Sequence, residues 1–306
     1  MKSNSVIFEK PPTNNIALED CDFQHTIDIP GVSSGHMKGL KTEQFPEGEP
    51  TPYDIRKGVN ELLGYVDLKN KTVLNLGQSN GFLSFQAEKQ GATDVTSIDL
   101  DIKNVNYTEP YKNRDVVPRV KCNWQEELKA FMKEEERRRN AYWYTHKALN
   151  SKAKLIHAHA CDLPRDLGIY DISLLYTMLV HIRDPYLALQ NMLRHTGEKV
   201  VIIEIGSYTR QKSFRNIIRN LIRRIMPPSP PSMIFLPCPE RAPFKWWKLS
   251  PEIIVSMVNT LGFEKTSINY HSQITNFRGE RAERSKIFLY TVVCERTVPI
   301  EDCNYG

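Results

Sequence analysis

The chain has 306 residues, 40% of them hydrophobic and 25% charged, with a mean hydropathy of −0.45. These values exclude a disordered chain, and no apolar run approaches the ~18 residues that span a bilayer. The formal net charge is +5, but the segment Arg210 to Ile225 alone holds six cations and no acid, which leaves −1 for everything else. Basicity is therefore local, and inferences about acidic partners belong to that segment. The opening MKSNSVIFEKPPTNN lacks the apolar stretch of a secretory signal, so the expected location is cytoplasmic. Cysteines at 21, 122, 161, 238, 294 and 303 form no C-x-x-C pair and no short ligand spacing, which argues for free thiols and against a zinc site.

Residues 1–50 are expected to form an irregular N-terminal arm, punctuated by Pro11, Pro12, Pro30, Gly31, Gly35, Gly39, Pro46, Gly48 and Pro50. From Tyr53 a short helical stretch leads to KTVLNLG, an apolar run that reads as a buried strand. A helix over 82–90, a strand at DVTSID and a long charged helix over 124–149 follow. KLIHAHA and YDISLLY read as strands, and Asp184-Pro185 starts a helix, because Asp caps and Pro suits a first turn. KVVIIEI is the most strand-like run of all. Beyond the basic segment lies a proline-rich loop, MPPSPPSMIFLPCPERAP. Ser250-Pro251 then begins a helix with Ile253, Ile254, Met257, Val258 and Leu261 on one stripe and Gly262 as its stop. FEKTSINY and KIFLYTVVC close the chain as strands. Strands alternating with helices in near-continuous apolar runs predict an α/β, Rossmann-like fold, a mostly parallel sheet covered on both faces. Ligands of such sheets bind at the carboxyl ends of the strands, where strand order reverses.

The first strand runs into Gly77-Gln78-Ser79-Asn80-Gly81 and then directly into a helix. Glycines there allow a tight turn and let bare N–H groups approach a ligand. The second strand ends at Asp99, 22 residues after Gly77, where a carboxylate suits a pair of ribose hydroxyls. A dinucleotide loop would read G-x-G-x-x-G. Here Ser79 holds the middle position and Phe82 the last, which fits a cofactor without a pyrophosphate, S-adenosylmethionine, better than NAD.

The stretch KTVLNLGQSNGFLSFQAEKQGATDVTSIDLD resembles motif I and the acidic strand end of class I S-adenosylmethionine-dependent methyltransferases. FQHTIDIPG, NAYWYTHKALNSKAKL, YDISLLYTMLVHIRDPYLAL and FKWWKLSPEIIVSMVNTLGF resemble, in that order, blocks of a bacterial methyltransferase group related to the tRNA wobble-uridine carboxymethyltransferases. The resemblance runs from Cys21 to Tyr270. It implies a seven-stranded sheet with the last strand antiparallel. The chain divides into the arm and a methyltransferase domain over 51–306, with a basic helical insertion over 207–245 read from the charge and apolar pattern that follows the fifth strand. The resemblance places Gly77, Ser79 and Gly81 beneath the methionine part of the cofactor, Asp99 and Leu100 at the ribose, Asp162 at the adenine, and Tyr176 and Thr177 at the methyl end. Those carboxymethyltransferases carry Tyr where this chain has Val180. A polar contact for a carboxylated cofactor is thus missing, which points to plain S-adenosylmethionine.

Methyl transfer is an in-line displacement, so the protein has to align a nucleophile and, for a hydroxyl or ammonium, remove a proton. His181, five residues past Tyr176, is a candidate base; its alternative is a histidine that caps the following helix or bonds to Asp184. Glu204 near the end of KVVIIEI is a second candidate, or a strand-end acid satisfied by solvent or arginine. His157 and His159 share a strand face but lack a third ligand, so they read as ordinary strand residues and no metal is expected. Tyr142, Trp143, Tyr144 and His146, with Trp246 and Trp247, are aromatic clusters that either cage a planar or cationic acceptor or belong to the core. His25 and Arg56 are further substrate-binding candidates. In Arg210 to Ile225 one apolar stripe faces away from six cations. That pattern predicts an amphipathic helix, read as a cover for an anionic acceptor, a membrane-surface helix or a docked helix with a solvated basic face.

The sequence thus reads as a methyltransferase acting on O, N or S of a small polar metabolite or biosynthetic intermediate. A tRNA-modifying enzyme is the alternative acceptor class, disfavoured because the positive charge is confined to one segment. A non-catalytic cofactor-binding protein of the same fold is the alternative without chemistry.

Overall fold

The computed structural model describes residues 6–33, 36–37, 53–100, 124–206, 230–236, 245–275, 285–303 and 305, with backbone alone for 124–128, 274–275 and 285–286. The amphipathic helix expected over 210–225 lies outside the described residues, as do Cys122 and Cys238; the other four cysteines are free thiols.

Regular structure begins with one helical turn, α1 (Val59–Leu62), and then alternates through β1 (Thr72–Leu76), α2 (Phe82–Lys89), β2 (Asp94–Asp99), α3 (Trp124–Ala148) and β3 (Lys154–His157). It continues with β4 (Tyr170–Tyr176), α4 (Pro185–Leu193) and β5 (Thr196–Ile205). A two-stranded ribbon, β6 (Met233–Phe235) with β7 (Trp247–Leu249), precedes α5 (Pro251–Asn259) and the long strands β8 (Phe263–Thr275) and β9 (Ser285–Arg296). The caps follow the sequence. Asp184 accepts from the Leu187 amide at 2.9 Å and Ser250 from the Ile253 amide at 3.3 Å.

Seven strands form one sheet in the order β3-β2-β1-β4-β5-β9-β8, parallel from β3 to β5, with β9 antiparallel to both its neighbours. Alternate residues of each strand feed opposite faces. Val73, Leu174 and Val201 pack with Phe82 and Phe85 of α2 on one side, and Leu74, Leu175 and Ile202 pack with Leu189 of α4 and Ile254 of α5 on the other. Strand order reverses between β1 and β4, so their carboxyl ends open the crevice in which doubly wound sheets bind ligands.

Two expectations change. The arm is irregular, but Cys21, Phe23, His25, Ile27 and Ile29 are all buried, with Asp22 and Thr26 between them, so its residues 21–29 are part of the core. It is strapped down by α3, where Arg137 donates to the carbonyls of Glu19 (2.6 Å) and Cys21 (3.1 Å), and by Tyr53, whose carbonyl accepts from the Thr26 amide at 2.9 Å. The proline-rich stretch is not all loop: Met233–Phe235 pairs with Trp247–Leu249 to make the ribbon.

Candidate active site

The loop after β1 is built from left-handed residues, Gly77 at φ +85°, Ser79 at +50° and Gly81 at +86°. A Cβ on Gly81 would stand 2.4 Å from Phe85 Cε2 and 2.7 Å from Tyr142 Cδ2, so glycine is required there for space as well as conformation. A Cβ on Gly77 would meet the Met178 side chain at 2.5 Å, which shows how closely the ends of β1 and β4 approach. At the end of β2 the Asp99 carboxylate is held in place, accepting from Gln78 Nε2 at 3.1 Å and from the Leu100 amide at 2.9 Å. Helix α3 adds charge to this corner. Arg138 pairs with both Glu134 and Glu135, and Glu135, largely buried and close to Asp99, has its carboxyl pushed up to about 7 by burial. Burial raises Asp99 as well.

Past β4 the backbone turns sharply. Thr177, β-branched, sits at φ +50°, a strained conformation held by its amide bond to the Ile203 carbonyl at 2.7 Å. The 3-10 turn Leu179–His181 follows. Glu204, fully buried on β5, accepts from the Leu179 amide at 2.8 Å, and burial pushes its carboxyl up to about 8, so it is a neutral acid at physiological pH. Its geometry serves the turn. His181 is the exposed last residue of that turn. The ribbon and the residue before it are tied to this turn: the Trp246 amide donates to the Val180 carbonyl at 2.8 Å, and Trp247 Nε1 to the Arg183 carbonyl at 3.0 Å.

The arm supplies a wall that sequence reasoning had only touched. His25 is 5% exposed and stands among the rings of Tyr53, Phe82 and Tyr176, with Asn80 of the glycine loop bonded to both its ring and its carbonyl. Ser79 donates to Gln24 Oε1 at 2.5 Å, and Tyr176 Oη to Gln273 Oε1 of β8 at 3.0 Å. Gly77, Ser79, Gly81, Asp99, Leu100, Tyr176 and Thr177 thus stand at the carboxyl ends of β1, β2 and β4, with His25 packed on Tyr176 and with His181, Trp246 and Trp247 at the turn that follows β4.

Other candidates lie elsewhere. Tyr142 is fully buried, donates to the Ala153 carbonyl at 3.3 Å and supports the glycine loop from behind, with no face left for an acceptor. Trp143 and His146 pack against it, Tyr144 is half-buried in the same core, and His146 Nε2 donates to the Ala153 carbonyl at 3.1 Å. Arg56 is committed to Asp54 (2.6 Å) and Asp28 (2.7 Å). Asp162, by contrast, is exposed in the loop after β3, which runs parallel to β2 and so ends at the same edge of the sheet as Asp99. His157 bonds Glu9 at 2.5 Å, and no cluster fit to hold a metal occurs among the described residues. Sequence reasoning missed Tyr53, Phe82, Glu135 and Arg138, the last two hidden in a run of charges that looked like solvated helix.

No protein-family model matches the chain, and no curated protein matches it. Solved structures do. They include the magnesium protoporphyrin IX methyltransferase of Synechocystis PCC 6803 with bound S-adenosylhomocysteine, 13% identical, covering 79% of this chain and 82% of that one at a TM-score of 0.42. Another is the N-terminal domain of EvdMO1 in the presence of S-adenosylhomocysteine and D-fucose, 15% identical, covering 84% and 90% at a TM-score of 0.44. A third is the Haemonchus contortus phosphoethanolamine N-methyltransferase 2 with phosphomonomethylethanolamine and S-adenosylhomocysteine. It is 12% identical, covering 79% of this chain and 53% of that one at a TM-score of 0.47.

Proposed function

We propose that the chain is an S-adenosylmethionine-dependent methyltransferase acting on a small polar metabolite or biosynthetic intermediate. The observation that carries this reading is the pairing, at the point of strand-order reversal, of a left-handed loop that leaves no room for a Cβ at Gly81 with a carboxylate held at Asp99. The residues fit the cofactor: Gln78 Oε1 is buried beside the loop without a partner, and Asp99 presents oxygens suited to ribose hydroxyls. Gly77, Ser79 and Gly81 would pass beneath the methionine part, Asp99 and Leu100 would hold the ribose, Asp162 would face the adenine, and Tyr176 and Thr177 would line the methyl end. When bound, the cofactor supplies an electrophilic methyl group on a sulfonium. The protein's own part is to exclude water, align the acceptor against the His25, Tyr53 and Tyr176 wall, and handle its proton.

The sequence blocks quoted above support a finer placement, beside the group related to the tRNA wobble-uridine carboxymethyltransferases. Val180, apolar and 4% exposed, offers nothing to a second carboxylate and favours plain S-adenosylmethionine. The test is thermal: S-adenosylmethionine and S-adenosylhomocysteine should each raise the melting temperature of the full chain and NAD should not. Stabilisation by NAD alone would replace the methyltransferase with a dehydrogenase.

A further inference from the structure

His25 is where the arm, the glycine loop, the start of α2 and the end of β4 meet. Its ring centroid lies 5.4 Å from Tyr53, 5.6 Å from Phe82 and 5.4 Å from Tyr176. Two bonds to a single neighbour fix its protonation. Asn80 Nδ2 donates to the His25 carbonyl at 2.7 Å, which sets the orientation of the amide, so Asn80 Oδ1 is the atom that faces His25 Nδ1 at 3.2 Å. An amide oxygen only accepts. Nδ1 therefore carries the ring proton and Nε2 the lone pair. Nε2 is directed away from Asn80, and no hydrogen bond from another described residue reaches it.

We propose that His25 Nε2 receives the proton of the methyl acceptor and that the acceptor reacts at a hydroxyl. The assignment rests on the methyltransferase reading above. The surroundings keep the ring neutral: burial holds the imidazole down at about 4, and Arg138 of α3 adds a repulsive charge. Around it Tyr53 and Tyr176 are phenols that burial keeps protonated, Phe82 and Asn80 are uncharged, and Glu134 and Glu135 are paired with Arg138. A weak base suits a hydroxyl. As the acceptor oxygen bonds to the methyl carbon, the carbon–sulfur bond breaks with both electrons left on sulfur. The hydroxyl proton, now strongly acidic, passes to Nε2, and the imidazolium later returns it to water. The same base is mismatched to an ammonium, which must lose its proton before it has a lone pair to attack with. At pH 7 only about one in 10³ molecules of an amine titrating near 10.4 is neutral, and a weakly basic imidazole does nothing to raise that fraction.

The experiment uses the full chain, labelled with ¹⁵N in its histidines and saturated with S-adenosylhomocysteine. His25 should show the Nδ1–H tautomer and stay unprotonated down to about pH 5. Benzyl alcohol, as a hydroxyl probe that fits a ring-lined wall, should shift the Nε2 resonance saturably, and benzylammonium should not. His25→Asn, which keeps a donor for Asn80 and leaves nothing at Nε2, should weaken benzyl alcohol binding by about tenfold. His25→Gln, which places an amide oxygen near Nε2, should weaken it by less than about threefold, with S-adenosylhomocysteine affinity within about twofold in both. An Nε2–H tautomer, titration between pH 6 and 7, a benzylammonium response matching the alcohol's, or no response to either overturns the assignment. If S-adenosylhomocysteine fails to bind the wild type, the methyltransferase reading falls first and this inference with it.

Discussion

Substituting Gly81 by alanine tests the loop at the point where sequence and packing are most tightly joined. The residue sits at φ +86°, where an L side chain costs about 1–2 kcal/mol, and its Cβ would meet Phe85 at 2.4 Å and Tyr142 at 2.7 Å. Both rings are buried in the core and neither is the free end of a flexible chain, so relief requires a shift of α2 against α3, an overpacking cost of about 1–3 kcal/mol. Gly81→Ala should therefore lose about 2–5 kcal/mol in urea unfolding at an unchanged m-value. Gly77→Ala is the control. At φ +85° it carries the same backbone strain, but its Cβ meets only Met178, an adaptable side chain, so the loss should stay near 1–2 kcal/mol. A Gly81→Ala protein within 1 kcal/mol of wild type, or a ranking in which Gly77→Ala is worse, would refute the packing argument.

Glu204 gives a pH signature. Its folded carboxyl titrates at about 8 against an ordinary value of 4.5, so the proton is held more tightly in the folded chain. The stability this contributes is full below about pH 4.5 and is lost as pH rises through 8. Glu204→Gln, neutral throughout and still able to accept from the Leu179 amide, should flatten that decline and gain up to about 3 kcal/mol at pH 7, read from unfolding curves between pH 4 and 9. Equal pH slopes in the two proteins would contradict it. Arg56→Ala breaks ion pairs that are half open to solvent, so it should cost only about 1 kcal/mol, and less in high salt. Asp184→Ala removes the cap of α4 and should cost about 1 kcal/mol in the same assay.

The sheet was legible because its central strands, β1, β4 and β5, are buried on both faces and so appear as near-continuous apolar runs, and because Asp184-Pro185 and Ser250-Pro251 mark helix starts. Gly77, Gly81 and Asp99 were legible for the same reason: strand ends and positive-φ turns leave a local chemical trace. What was obscured depends on tertiary contact. The arm's proline and glycine punctuation masked the sequence alternation of Cys21, Phe23, His25, Ile27 and Ile29, a period-two signal that could have revealed its burial. Glu135 and Arg138 sit in a charged helix whose composition alone predicts a solvated face, and it is the packing of α3 against the arm and the Asp99 corner that takes them largely out of solvent. Tyr142 drew notice as part of an aromatic cluster, yet such spacing cannot distinguish a ligand cage from the core that Phe85 and Gly81 make of it.

The central claim, that this crevice holds S-adenosylmethionine with Asp99 at the ribose, is tested most directly by calorimetry on the full chain. Wild-type protein should bind S-adenosylhomocysteine at one site, and Asp99→Ala should weaken that binding by about 1.5–3 kcal/mol, the worth of hydrogen bonds to a charged acceptor. Binding unchanged by the substitution, or absent in the wild type while NAD binds, would contradict the account.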